Sequence, residues 1–352
     1  KYGKNGFHLN FSDSSTIEAL GFDSAPTIPA LDPKKGMDVV TYTGTGSLQN
    51  IGGLQFEPGL IWQKPRSNAN PHQLFDSVRG DNARLKPSST DGEYTYSAGV
   101  GLTFNPDGFS VGTDNGLNQS GQTFVAWVWR ANGPAVSNTD GAVTSQVSVN
   151  TDYGFSIVTV TPTATGQTVG HGLGATPSWI IYKNRDTAGN WRVHHTSLGT
   201  SKTLFLNTNS AESTNSDRVT AVTSSTFTLG DIVANDDHVA YCWSEVSGFS
   251  KFGSYTGNGS STGPVVTTGF KVRWLLLKRT DSGTSDNWAI IDNERDFTNP
   301  ISKRLFANID NVESDSSGND VDFLDDGFQP KNTNDHTNAN GGNFVYMAFA
   351  DR

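Results

Sequence analysis

The chain has 352 residues, of which 34% are hydrophobic and only 17% charged, with 38 glycines, 8 tryptophans and 20 phenylalanines. Low charge with many aromatics argues against a disordered chain, and the scarcity of strong helix formers argues against a helical one. The net charge of −10 without a basic cluster argues against a nucleic-acid partner, and no apolar run is long enough for a membrane-spanning helix. An all-β chain with many turns is what remains. Residues 1–36 come first and read as the end of a preceding domain. Phe7-His8-Leu9-Asn10-Phe11 alternates apolar and polar residues and predicts a strand. Lys1 in place of Met, with no leader pattern behind it, is expected of a fragment or processed product.

From residue 37 onward the sequence repeats itself. Val39-Val40-Thr41-Tyr42 predicts a first strand, followed by Thr43-Gly44-Thr45-Gly46. Leu60-Ile61-Trp62-Gln63-Lys64-Pro65-Arg66 parallels Trp179-Ile180-Ile181-Tyr182-Lys183-Asn184-Arg185 and Trp274-Leu275-Leu276-Leu277-Lys278-Arg279. Leu74-Phe75-Asp76, Val193-His194-His195 and Ile290-Ile291-Asp292 come next, with Arg79, Leu198 and Arg295 three residues further on. Phe109, Phe227 and Phe328 follow, each in a short polar turn context. Phe124–Trp129, His238–Trp243 and Phe344–Phe349 close the three copies. These closing runs leave no face for water and predict central strands. Tyr255-Thr256-Gly257 matches Tyr42-Thr43-Gly44, and Gly154-Phe155-Ser156 is aligned with Gly248-Phe249-Ser250 as the opening of copies two and three.

The expected organisation is therefore three tandem β-sandwich modules of about 100 residues each, at 37–132, 153–247 and 248–352. Segment 133–152, rich in Ser, Thr, Asn and Gly, is read as a linker with room for one short strand.

With these landmarks on view, the chain resembles a family of modular virion proteins of tailed phages, especially phages of marine bacteria. Lys1 to Ser15 is similar to strings that close a lectin-like jelly-roll domain in that family, and Gly166 to Arg185 and Ser250 to Phe270 are similar to further members. The resemblance implies a tail-fibre or other fibre component located on the virion. It also implies a homo-oligomer, a trimer, that meets other virion proteins and a host surface glycan. No catalytic motif comes with it.

Candidate chemistry is sparse. His194 and His195 are neighbours, and neighbours on a strand point to opposite faces, so they do not suit one metal. His171 lies in Gly170-His171-Gly172-Leu173-Gly174, which lacks the Lys-Ser/Thr ending of a phosphate loop and reads as a turn. Asp76 with Arg79, and Asp292 with Arg295, are expected to form local ion pairs or turn hydrogen bonds. Lys64 with Arg66, Lys183 with Arg185, and Lys278 with Arg279 are expected to solvate strand ends. Asp231, Asp236 and Asp237, and then Asp320, Asp322, Asp325 and Asp326, form acidic loops without the spacing of a calcium-binding loop. Cys242, the single cysteine, reads as a buried hydrophobe. No Gly-x-Ser-x-Gly element or assignable carboxylate pair is present. The sequence thus names no catalytic, cofactor or metal residue. The leading expectation is a non-enzymatic structural and adhesive fibre protein, the second a lectin-like carbohydrate-binding module, and the third a glycan depolymerase.

Overall fold

The computed structural model describes residues 31–214, 218–230, 232–284 and 286–351. The predicted strand at Phe7–Phe11 and the domain end at 1–36 lie almost wholly outside them, as does Asp231. The described chain is all-β, and its two α-helical turns, Asn115–Asn118 and Asp335–Asn338, are four residues each.

Each repeat builds one large and one small antiparallel sheet. The large sheets share a four-strand unit. An opening strand (Met37–Thr43, Phe155–Val160 or Ser250–Thr256) lies beside the closing strand (Thr123–Trp129, His238–Trp243 or Asn343–Ala350). Next comes the lysine strand (Leu60–Pro65, Trp179–Asn184 or Val272–Arg279), then a fourth (Gln73–Asp76, Arg192–His195 or Ala289–Asp292). The closing strands are central, hydrogen-bonded on both edges. Register fixes equivalence: Trp129, Trp243 and Phe349 face Leu60, Trp179 and Trp274 respectively. Lys64, Lys183 and Lys278 all pair with a valine, namely Val125, Val239 and Val345.

The small sheets carry the three equivalent phenylalanines. Phe109 pairs with Ile51, Phe227 with Val169 and Phe328 with Val266, and all three rings are fully buried. Each small sheet covers one face of its large sheet and forms a separate core with it.

The other face of each large sheet has a different partner. Alternate residues of a strand point to opposite sides, so the closing strands divide their side chains evenly. Ala126 and Val128, Ala240 and Cys242, and Tyr346 and Ala348 turn to their own small sheets. Trp127 and Trp129, Tyr241 and Trp243, and Met347 and Phe349 turn the other way, into one core shared by all three repeats. At its centre the Trp129 ring lies 5.9 Å from Trp243, 5.3 Å from Trp274 and 5.8 Å from Phe349. The sandwiches are therefore fused through their large sheets.

Two expectations about strand placement need correction. Segment 133–152 holds two strands, Val136–Asn138 and Ser145–Asn150, which extend the second large sheet to seven strands. Val147 packs in that repeat's core, and Ser145 Oγ donates to the Gly170 carbonyl at 2.8 Å. Small polar side chains that bond to backbone let this stretch join a sheet despite a loop-like composition. Second, Phe155 and Phe249 are not equivalent. Phe155 pairs with Trp243, whereas Ser250 pairs with the corresponding Phe349, so the two Gly-Phe-Ser strings stand one residue out of register. Phe249 instead sits in the turn before the strand, stacked edge-on against Tyr153 and Phe349.

Candidate functional site

Where two repeats meet, the same polar bonds recur. Each fourth strand is preceded by a ring nitrogen that reaches a carbonyl of the neighbouring repeat. Trp191 Nε1 donates to the Lys86 carbonyl (2.9 Å) and Trp288 Nε1 to that of Phe205 (3.0 Å). His72 holds the same position. Its Nδ1 accepts from Trp62 Nε1 (2.9 Å), which leaves the proton on Nε2 to donate to the Phe306 carbonyl (2.8 Å). Burial holds this imidazole well below its usual range, hence neutral.

At two seams a buried ion-pair network accompanies this contact. Asp76 and Arg79 do pair locally, and Asp76 Oδ1 accepts the Val78 and Arg79 amides. They also reach across: Tyr241 Oη donates to Asp76 Oδ2 at 2.6 Å. Glu93 receives Arg79 Nη1 (2.9 Å) and both Nε and Nη2 of Arg185 (2.9 Å each). Burial alone would raise the Glu93 carboxyl, but the Arg185 and Arg79 contacts outweigh it and hold it below its ordinary value. The seam between repeats three and one repeats the pattern. Asp292 Oδ2 accepts from Arg295 Nε (2.6 Å) and Trp127 Nε1 (2.9 Å), and Glu313 receives Arg295 and both Nε and Nη2 of Arg66.

The seam between repeats two and three departs from it at four positions. His195 stands in register with Asp76 and Asp292, Leu198 with the inner arginines, and Thr280 with Arg66 and Arg185. Met347 replaces Tyr241 and Trp127. Glu212 keeps the glutamate's place, since its amide donates to the Thr280 carbonyl (2.8 Å) as those of Glu93 and Glu313 do to Arg185 and Arg66. Its carboxylate pairs with Lys202. A cleft of about 420 Å³ opens there, walled by Leu198, Lys202, Glu212, Ser254, Thr280 and Asn343, among others. It is the candidate site. A smaller cleft of about 190 Å³ lies by Lys271, Asn293 and Asn299, with the ring of Phe297 at its wall and 85% exposed.

The remaining sequence candidates do not converge on either cleft as a reactive group. His195 is buried edge-on to Trp179, its Nδ1 accepting the Ser197 amide, while His194 faces the opposite side of the strand. Burial pushes them down to about 3 and about 4. His171 accepts the Leu173 amide inside its turn. Cys242 is buried, and burial raises its thiol. Asp236 accepts from Asn184 and Thr187, Asp237 from Thr161, and Asp326 from the Gly269 amide. Asp320, near Asp296 and Asp322, is raised, first by burial. Among the described residues no three His, Cys, Asp or Glu side chains are grouped to hold a metal.

The lysines are the clearest correction. Lys64, Lys183 and Lys278 are fully buried rather than solvating strand ends. Each ammonium donates to the next residue's carbonyl: Pro65 at 2.6 Å, Asn184 at 2.6 Å and Arg279 at 2.5 Å. Each finds a second carbonyl at Asn68, Thr187 or Asn209. Burial pushes all three down to about 8. Arg66 and Arg185 cross the seams, whereas Arg279 turns back to Asp281 at 3.1 Å.

Fold and site together define an all-β protein of three fused sandwiches with one open seam. The chain belongs to the family described as Domain of unknown function (DUF7483), whose model matches residues 32–352. A search of curated proteins finds no match.

Proposed function

We propose that the chain is a structural and adhesive component of a virion fibre, of the tail-fibre kind, that contributes to host attachment. The observation that supports this reading most is the fusion of the three large sheets through one aromatic core. Such a body holds its three sandwiches together through one buried core, which suits a protein that bears load and makes contacts. Its partners on this reading are other virion proteins and further copies of itself, with a trimer implied by the resemblance to phage fibres. The shared core removes one motive for that trimer, because the sandwiches already bury their second faces within a single chain. Imaging intact particles labelled with an antibody to this chain tests the assignment. Label along a fibre is expected, and particles without label would overturn it. Mass measurement on this chain and on a longer version tests the oligomer, which monomers in both at micromolar concentration would rule out.

A carbohydrate-binding role is the second reading, favoured by Phe297. Its loop is braced by Asp296, whose carboxylate accepts from Thr298, Ser302 and Lys303. An exposed ring on a braced loop can stack on a sugar face. A ligand bound only by the folded state raises the unfolding midpoint. Host glycans should therefore raise it for the parent chain and not for Phe297→Ala; equal shifts, or none, contradict this reading. Glycan cleavage is the third, and only release of new reducing ends from host polysaccharide would support it.

A further inference from the structure

The three seams form an internal comparison. At two of them a glutamate of fixed backbone placement grips a pair of guanidinium groups. Glu93 holds Arg185 through both oxygens and Arg79 through one, and Glu313 holds Arg66 and Arg295 in the same way. At the third seam the glutamate and its backbone anchor persist in Glu212 and the Thr280 carbonyl. Both arginines are gone, shortened to Leu198 and Thr280, and the cleft opens where their side chains would lie. Here the glutamate that holds two guanidinium groups at the other seams pairs with Lys202 instead.

We propose that this cleft binds a guanidinium group supplied from outside the chain. Glu212 would take the fork through its two oxygens, as Glu93 takes Arg185. Planar, two-pronged donors match a carboxylate in a way a compact ammonium does not. Thr280, Ser254 and Asn343 supply further oxygens around the seat. Lys202 is the resident competitor. Its side chain is 39% exposed, so it can yield the carboxylate and move to water. The inference goes beyond the fibre reading and stands without it. A free guanidinium compound and an arginine side chain of a partner polypeptide share this chemistry, and the test separates them.

Calorimetric titration of the intact chain with agmatine, a capped Gly-Arg-Gly peptide and its citrulline counterpart provides the test. Binding of at least one guanidinium probe is expected, with the neutral citrulline peptide at least tenfold weaker. A peptide that binds more tightly than agmatine indicates a polypeptide source, and the reverse a small molecule. Thr280→Arg should refill the seat, abolish binding and raise the unfolding temperature. Glu212→Gln should abolish binding, and Lys202→Met, which removes the competitor, should tighten it severalfold, a readout that stands whether or not Glu212→Gln folds. Absence of binding to every probe, equal binding of the citrulline peptide, or binding that survives Thr280→Arg would each overturn the proposal.

Discussion

Asp76 and Tyr241 are 165 residues apart, yet a 2.6 Å hydrogen bond joins them across the first seam. Asp76→Asn removes the charge that faces the buried Arg79 guanidinium. Stripping one member from a buried pair costs about 3–5 kcal/mol. The lower end applies here, because Glu93 still holds Arg79. Tyr241→Phe keeps the ring in the shared core and deletes the hydrogen bond to the carboxylate together with the oxygen that accepts Arg79 Nη2 at 3.3 Å, at about 1.5–3 kcal/mol. Once Asp76 is neutral the tyrosine hydroxyl loses most of its value, so the double variant should fall short of the sum by roughly 1–2 kcal/mol. Urea unfolding of the four proteins at neutral pH measures this coupling. Tyr241→Phe combined with Asp292→Asn, in a different network, should add within about 0.5 kcal/mol and serves as the control. Additivity in the first pair would refute the contact between repeats one and two.

Three further outcomes are expected. Phe109→Ala, Phe227→Ala and Phe328→Ala should each cost roughly 3–5 kcal/mol in denaturant unfolding, since each ring is fully buried between its two sheets; losses below about 1 kcal/mol would contradict that packing. Stability should rise with pH above 8, because Lys64, Lys183 and Lys278 titrate near 8 when folded and near 10.5 when unfolded, so the unfolded chain binds more protons in that window. The cost of burying each charge is fully present below pH 8 and relieved by at most about 3 kcal/mol per lysine on passing 10.5. Cys242, whose thiol burial raises, opposes this from about pH 9 but is one group against three lysines, and Tyr42, Tyr96, Tyr241, Tyr255 and Tyr346, whose hydroxyls burial raises, oppose it near pH 10 and above. The slope is therefore best read between about pH 8 and 9.5, where Lys64→Met should make it shallower and an unchanged slope would count against the buried ammonium.

Much of the sheet architecture was legible because a strand reports its burial directly. Phe124–Trp129 and its two counterparts are apolar at nearly every position, which predicts central strands, and they are central. What covers the second face was not legible, since an apolar pattern states that a face is dry and not what dries it. The lysines misled for a related reason. Lys is seldom fully buried, and the carbonyls that hold Lys64, Lys183 and Lys278 are backbone groups that leave no mark in a sequence. The Gly-Phe-Ser match failed because a shared string carries no register. The open seam was half visible: Leu198 stood out where Arg79 and Arg295 lie. The matching loss at Thr280 was hidden, because Arg279 supplied an arginine one position early. Glu93, Glu212 and Glu313 could be aligned only through the amide bonds each makes across its seam.

Differential scanning calorimetry tests the fusion of the three sandwiches most directly. If the large sheets share one core, residues 33–351 unfold as a unit, and the calorimetric enthalpy equals the van't Hoff enthalpy within error. Three separable transitions, or a calorimetric enthalpy near three times the van't Hoff value, would show sandwiches that fold independently and would contradict the shared core.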